Sequence, residues 1–244
     1  MGHRLTYSLV SNIGGRNVNE DAVGRYEGLN GTGFILCDGL GGHGMGDQAS
    51  KLVKNVFLYM FQHMRDPSKV LPDTFQAAQD ILLAEQRRLN ACNKMKTTAV
   101  SLVIDEKNAY IGHIGDSRLY IFSNNKVKTR TLDHSIPQML VASKEISESE
   151  IRHHPDRSIL MRVLGTEWDG PQYEIMKPIP LKKCQAFLLC SDGFWELIEE
   201  EQMCICLKRA KSVNEWISLM NDEVRKNGIG TNMDNNSAIG VWCN

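Results

Sequence analysis

Apolar residues recur three and four positions apart through Ala49, Leu52, Val53, Val56, Phe57, Met60, Phe61 and Met64. That period is the signature of a helix with one buried face. The same spacing returns in Trp216, Leu219, Met220 and Val224. There the helix start is marked as well: Ser212 with Glu215 three residues on reads as a capping box, and Gly228 as a stop. A weaker helical pattern covers Thr74–Leu89. Six short runs have a different character, aliphatic or β-branched and bounded by Gly, Asp or Asn. They are Gly33–Cys37, Ala99–Ile104, Asn108–Ile114, Arg118–Phe122, Ala186–Cys190 and Ala238–Cys243, and they predict strands. Strands outnumber helices, which leaves too few crossovers for a doubly wound parallel sheet. The order predicts an α+β fold of antiparallel sheets faced by helices.

No linker, repeat or low-complexity tract divides the chain, so residues 1–244 read as one domain. The segment from about 133 to 170 is the most polar and least periodic, an excursion from the core.

Composition narrows the setting. Of 244 residues, 42% are hydrophobic and 23% charged, which excludes disordered, collagen-like and coiled-coil chains. A chain of this length buries roughly 70% of its unfolded surface and needs no disulfide staples. With 28 basic and 29 acidic residues the net charge is −1, so no overall field holds nucleic acid or an anionic membrane. No apolar run approaches the roughly 18 residues of a spanning helix. The start, MGHRLTYSLVSNIGG, lacks the apolar core of a secretion signal, and Gly2 with Thr6 matches a myristoylation site only superficially. Seven cysteines cannot all pair with one another. Cys37, Cys190 and Cys243 sit in apolar runs as small core residues, and Cys204 with Cys206 lacks the second pair that a zinc site needs. These features predict a cytoplasmic protein.

The candidate chemistry lies at the strand ends. FILCDG stops at Asp38-Gly39 and FLLCSDG at Asp192-Gly193, each a buried run ending in Asp-Gly. HIGDSR places Asp116 between two strands, DNNSAIGVW places Asp234 just before the last one, and RNVNED supplies Glu20 and Asp21. A single Asp-Gly is most often a turn. Several acids at the ends of central strands share one rim of a sheet, where ionised carboxylates repel and require cations. Oxygen donors without clustered His or Cys select Mg²⁺ or Mn²⁺ over Zn²⁺. Two such ions and a water between them suit hydrolysis of a phosphate ester. Arg16, four residues before Glu20, adds a fork for phosphate oxygens.

Rival motifs fare worse. The residue six beyond each cysteine is never Arg, against a cysteine phosphatase, and no GxxxxGK[ST], HExxH or GxSxG occurs. Gly39–Gly44 does spell GxGxxG between a strand and a helix, with Asp66 further on. However, Asp38 at the strand end would repel a pyrophosphate, and the alternating strands and helices of a dinucleotide fold are missing.

RNVNED, CDGLGGHGMGDQAS, KTTA, GHIGDSR, CSDG and DNNSA, in this order, resemble the metal-dependent protein phosphatase family, the type 2C serine/threonine phosphatases, in its bacterial form. The resemblance runs from about residue 7 to 243. It implies a four-layer α-β-β-α sandwich of two antiparallel sheets flanked by helices, with a dinuclear site at one edge. It also implies Mn²⁺ or Mg²⁺ as cofactor, two per chain with a weaker third. Asp38 is expected to bridge two metals, Glu20 and the carbonyl of Gly39 to join the second, and Asp192 and Asp234 the first. Asp21 is expected to hold metal-bound water, Asp116 with Asp192 to line the third site, and Arg16 to bind the substrate phosphate. Segment 133–170 is expected to form a flap beside the cleft.

Phosphorylated proteins are the implied substrates in a signalling setting, with a Ser/Thr kinase as an expected partner. The chain is expected to act as a monomer, without nucleic acid or membrane. Two departures stand out. Where relatives with a general-acid His carry it directly after Asp-Gly, this chain has Leu40; His43 comes three residues later, so no general acid is assigned. The usual Gly-Thr-Thr is Lys96-Thr97-Thr98, where Lys96 either alters the turn, approaches the phosphate or is simply solvated.

Overall fold

The computed structural model describes residues 5–41 and 44–243. Gly2 and, from the glycine run, Gly42 and His43 lie outside the described residues.

Two antiparallel sheets face each other. The first contains β2 (Asp21–Gly28), β3 (Gly31–Asp38), β4 (Ala99–Ile104) and β5 (Asn108–Ile114) in that order, extended by the short β8 (Glu174–Ile175) and β9 (Ile179–Pro180). The second runs β1 (Leu5–Asn12), β11 (Asn236–Cys243), β10 (Ala186–Cys190), β6 (Arg118–Ser123) and β7 (Lys126–Arg130). Helices α1 (Gly46–Gln62) and α2 (Pro67–Arg88) pack on the first sheet, and α5 (Glu200–Arg209) and α6 (Val213–Asn227) on the second. Two shorter helices complete the set, α3 (Ile136–Ala142) and α4 (Asp192–Trp195). This is the expected α-β-β-α sandwich.

The unbroken apolar runs follow from this layering, because a central strand is covered on both faces. In β3, Phe34 and Leu36 point between the sheets while Ile35 and Cys37 pack under α1 and α2. In β10, Phe187 and Leu189 face the first sheet while Ala186, Leu188 and Cys190 meet α5 and α6.

Three local expectations are refined. The predicted Thr74 start of α2 moves back to Pro67: the Asp66 carboxylate accepts from the Ser68 N–H at 3.0 Å, and buried Val70 and Leu71 hold the first turn despite Pro72. At α6, Ser212 caps as expected, but Glu215 closes on the N–H of Lys211 at 2.7 Å rather than that of Ser212. Strands β1, β2 and β7 and helix α5 carry no pattern strong enough to predict them; β1 and β7 are edge strands with partly exposed residues.

Candidate active site

The two sheets bring their chain turns to one end, and a cleft of about 610 Å³ opens there. It is lined by Arg16, Glu20, Asp38, Gly39, Asp116, Asp192 and Asp234, seven of the eight residues singled out from the sequence. The eighth, Asp21, lies just beneath: it pairs directly opposite Asp38 in the β2–β3 register and is buried. Lys96 does not line the cleft; its carbonyl accepts the N–H of Leu40 at 2.9 Å, a backbone role.

Local bonding aims each acid. Asp38 donates its N–H to Thr98 Oγ1 (3.1 Å), and its carbonyl accepts from the N–H of Thr98 and the hydroxyl of Thr97 (both 2.8 Å). With its backbone fully engaged, the carboxylate is left to face the cleft. Glu20 is seated by glycines: a Cβ at Gly41 would lie 1.9 Å from Glu20 Oε2, and one at Gly46 would lie 2.9 Å from Oε1. The glycine run therefore lets the chain wrap a carboxylate, where a dinucleotide motif would wrap a pyrophosphate.

Asn235 ties the N-terminal loop to the last strand. Its Oδ1 accepts the Glu20 N–H at 2.8 Å, and its Nδ2 donates to the carbonyls of Ile13 and Val18. Across this junction Arg16 Nη2 meets Asp234 Oδ2 at 2.7 Å, both side chains nearly half exposed. Ser191 donates to Asp21 Oδ2 at 3.0 Å, while the buried Asp21 Oδ1 has no protein partner among the described residues.

The Asp116 turn is held from two sides. Trp195 Nε1 donates to the Asp116 carbonyl at 3.0 Å, and the Arg118 guanidinium lies 3.4 Å over the Trp195 ring while forking onto Asp133. On the other side His134 grips Gly115 twice, its N–H donating to the Gly115 carbonyl (2.9 Å) and its Nδ1 accepting the Gly115 N–H (3.1 Å). The His134 carbonyl in turn accepts the Met161 N–H at 2.8 Å. Segment 133–170 is thereby fastened to the same turn, and its Ser158 and Leu160 line the cleft. Sequence reasoning missed Ser158 and Leu160, which belong to no motif, and the positioning contacts of Ser191, Asn235, Trp195 and His134.

The acids raise one another's pKa. Burial first, then the neighbouring charges of Asp21, Asp192 and Asp116, hold Asp38 well above the carboxylate range. Burial and then Asp192 do the same to Asp116. Asp21 is pushed up to about 7, by burial and then by Asp192. Asp192 rises to about 6, by burial and then by Glu196 and Asp234. Burial, Asp47 and Asp234 raise Glu20. Arg16 is the one guanidinium or ammonium among the described lining residues, so the cleft carries excess negative charge. An all-oxygen donor set, an orphaned buried oxygen and mutual repulsion fit hard divalent cations.

Nearby, His113, His134 and Glu174 bring three donor atoms within 4.8 Å of one another. They do not form a comparable site. The rings lie nearly parallel (13°, centroids 4.7 Å), so their in-plane lone pairs do not converge. Because His134 Nδ1 accepts the Gly115 N–H, the neutral ring carries its proton on Nε2. Burial, followed by His113 and Arg162, pushes His134 down to about 3 and keeps it neutral.

The sequence model of the family described as Protein phosphatase 2C matches residues 10–233. The chain belongs to this family. Among its relatives, "Serine/threonine phosphatase stp" of Listeria welshimeri is 29% identical, the match covering 82% of this chain and 81% of the relative. The crystal structure of "Serine/threonine phosphatase Stp1 from Staphylococcus aureus" superposes with a TM-score of 0.91 at 25% identity, covering 100% of this chain and 97% of that one. The catalytic domain of "serine threonine protein phosphatase PstP in complex with 2 Manganese ions" superposes with a TM-score of 0.80 at 25% identity, covering 98% and 97%. The protein is a bacterial PPM-type protein serine/threonine phosphatase.

Proposed function

We propose that this phosphatase hydrolyses phosphoserine and phosphothreonine in proteins with two divalent cations, Mn²⁺ or Mg²⁺, held in the cleft. The observation that carries this reading is the convergence of five carboxylates, from Glu20, Asp38, Asp116, Asp192 and Asp234, on one cavity beside a lone arginine. Asp38 would bridge the two cations, Glu20 and the Gly39 carbonyl would complete one, and Asp192 with Asp234 the other. Asp116 with Asp192 would take a third. When bound, such ions act as Lewis acids and lower the pKa of the attacking water. Asp21, beneath Asp38 with one oxygen unpartnered among the described residues, would accept a hydrogen bond from that water and keep it oriented. Arg16 turns its fork to the phosphate oxygens, holding the phosphorus in line with the water. Leu40 occupies the position next to Asp-Gly without a titratable group, so the chain commits no residue there to protonate the leaving oxygen.

We read residues 1–244 as a single catalytic domain with segment 133–170 as its flap, acting as a monomer in the cytoplasm on phosphoproteins, a Ser/Thr kinase among them. No described helix is long and apolar enough to cross a membrane.

The deciding experiment is hydrolysis of matched peptides carrying phosphoserine, phosphothreonine or phosphotyrosine, with Mn²⁺ and with excess chelator. The first two should be cleaved with Mn²⁺ and neither in chelator, with recovery on adding Mn²⁺ back. Full activity in chelator would end the dinuclear reading.

Arg16 provides a separate check. A charge-assisted hydrogen bond is worth about 1.5–3 kcal/mol, so Arg16→Ala should raise KM roughly tenfold or more while Mn²⁺ affinity, read by calorimetry, stays nearly intact. Arg16→Lys should recover part of the loss, since it restores charge without the fork. An unchanged KM, or a loss of metal affinity as large as that of Asp38→Ala, would make Arg16 a structural charge of the Glu20–Asp21 loop.

A further inference from the structure

Beside the catalytic cleft lies a second cavity of about 530 Å³, and the two share Arg16 and Asp234 as a common wall. Its far side is built from segment 133–170, which contributes Arg152 and Arg157, and from Glu196, the residue that follows α4. Three guanidiniums thus border a hollow whose carboxylates, among the described lining residues, are Glu196 and Asp234. Arg152 is 7% exposed, held through Nε to Glu199 (3.1 Å) and Nη2 to Glu200 (2.9 Å), and its Nη1 has no hydrogen-bond partner among the described residues. Arg157 reaches Glu196 through Nε at 2.9 Å and makes a long Nη1 contact of 3.5 Å with the His154 carbonyl, while 41% of its side chain stays exposed. The contacts of its guanidinium to described residues run through Nε and Nη1.

We propose that this cavity is a second anion subsite, taking a carboxylate or phosphate carried by the substrate peptide a few residues from the one being dephosphorylated. The inference rests on the phosphate lying at Arg16. A peptide leaving Arg16 along the shared wall enters the hollow, and an extended chain advances about 3.3–3.6 Å per residue. With Asp234 directed to cations in the cleft and Arg152 paired with Glu199 and Glu200, Glu196 is the acid left to oppose Arg16 and Arg157. The planar fork of Arg157 matches either anion in two-pronged geometry. Glu196, now bonded to Arg157, is the group an incoming anion displaces.

The test uses phosphothreonine peptides that differ at one position, from three residues before to three after, by a neutral residue, Glu or a second phosphothreonine. At the best position an anion should raise kcat/KM about tenfold over the neutral peptide, and the gain should shrink with added salt. A gain with both anions assigns a general anion site, and a gain with the second phosphate alone assigns a phosphate site; either supports the proposal. Arg157→Gln should abolish the gain while leaving the neutral peptide within about twofold, and Arg157→Lys should restore part of it. Glu196→Gln should increase the gain, because the competing acid is gone. A merely structural ion pair would instead lower both variants alike on every peptide, and that outcome overturns the subsite. Hydrolysis of the neutral peptide with no anion preference at any position overturns the subsite and leaves the phosphate placement standing. Absence of hydrolysis on every peptide overturns both.

Discussion

Asp38→Ala is expected to lower kcat by about 10² or more while the protein stays folded. The magnitude is that of deleting one preorganised electrostatic group from a water-poor site. Asp38 ends β3, and its backbone is held by Thr97 and Thr98 through bonds that an alanine keeps. What the substitution removes is a carboxylate crowded by Asp21, Asp192 and Asp116. Without cations that crowding is unfavourable, so the variant should melt at or above the temperature of the parent when both are metal-free. Asp192→Ala should behave in the same way, for the same reason. Turnover of an aryl phosphate at saturating Mn²⁺, with a thermal melt of the same sample, measures both effects. Near-normal turnover in either variant, or collapse of the fold in both, contradicts the assignment.

The stability of the metal-free protein should fall as pH rises from about 4 towards 8, and Mn²⁺ should cancel the fall. Asp21 has an ordinary value of 3.8 and is held near 7 in the fold, so between these values the folded state binds more protons than the unfolded one. Its contribution is fully present below the lower value and is lost as pH climbs through the upper one. A shift of that size corresponds to about 4 kcal/mol from Asp21 alone. Asp38, Asp116 and Asp192 are shifted in the same direction. The buried histidines pull the other way: His113 and His134 are lowered, so they weaken the fold as pH drops below about 6.5. Their effect is the same with and without metal, so the difference between the two melts isolates the carboxylates. Cations bind the deprotonated acids, and the gain in Tm on adding Mn²⁺ should be larger at pH 7.5 than at pH 5.5. An equal gain at both would show that the acids do not hold the metal. Asp21→Asn should flatten the metal-free slope.

What could be read from the sequence is what burial on both faces writes into it. FILC and AFLLC are unmistakable because β3 and β10 lie between layers. LTYSLVSN is not, because β1 is an edge strand, half-wet on both sides. The acids were legible for a related reason: each follows an apolar run that stops abruptly, and strand ends are where a sheet delivers side chains to a rim. Their supports were not. Ser191 reaches Asp21 across 170 positions and Asn235 reaches Glu20 across 215, and no local period encodes such a meeting. Lys96 illustrates the converse. It stands out as a departure from a motif, yet its place is set by a backbone carbonyl, which any residue supplies.

The order of strands in the second sheet also sets when the enzyme can exist during its own synthesis. β11 follows every other described element in the chain, yet it occupies an interior position, between β1 and β10. Until Asn236–Cys243 is available, β1 has no strand to pair with, because β11 is its pairing partner among the described strands. Arg16 waits as long for Asp234, 218 positions downstream. The first sheet, by contrast, has β2 to β5 in hand by residue 114. A nascent chain can therefore hold a half-built sandwich with Asp38 in place, but without Asn235 to tie the Glu20 loop or Asp234 on the rim. The rim gains Asp234 only when β11 slides into the gap between β1 and β10, after every other described strand has been made.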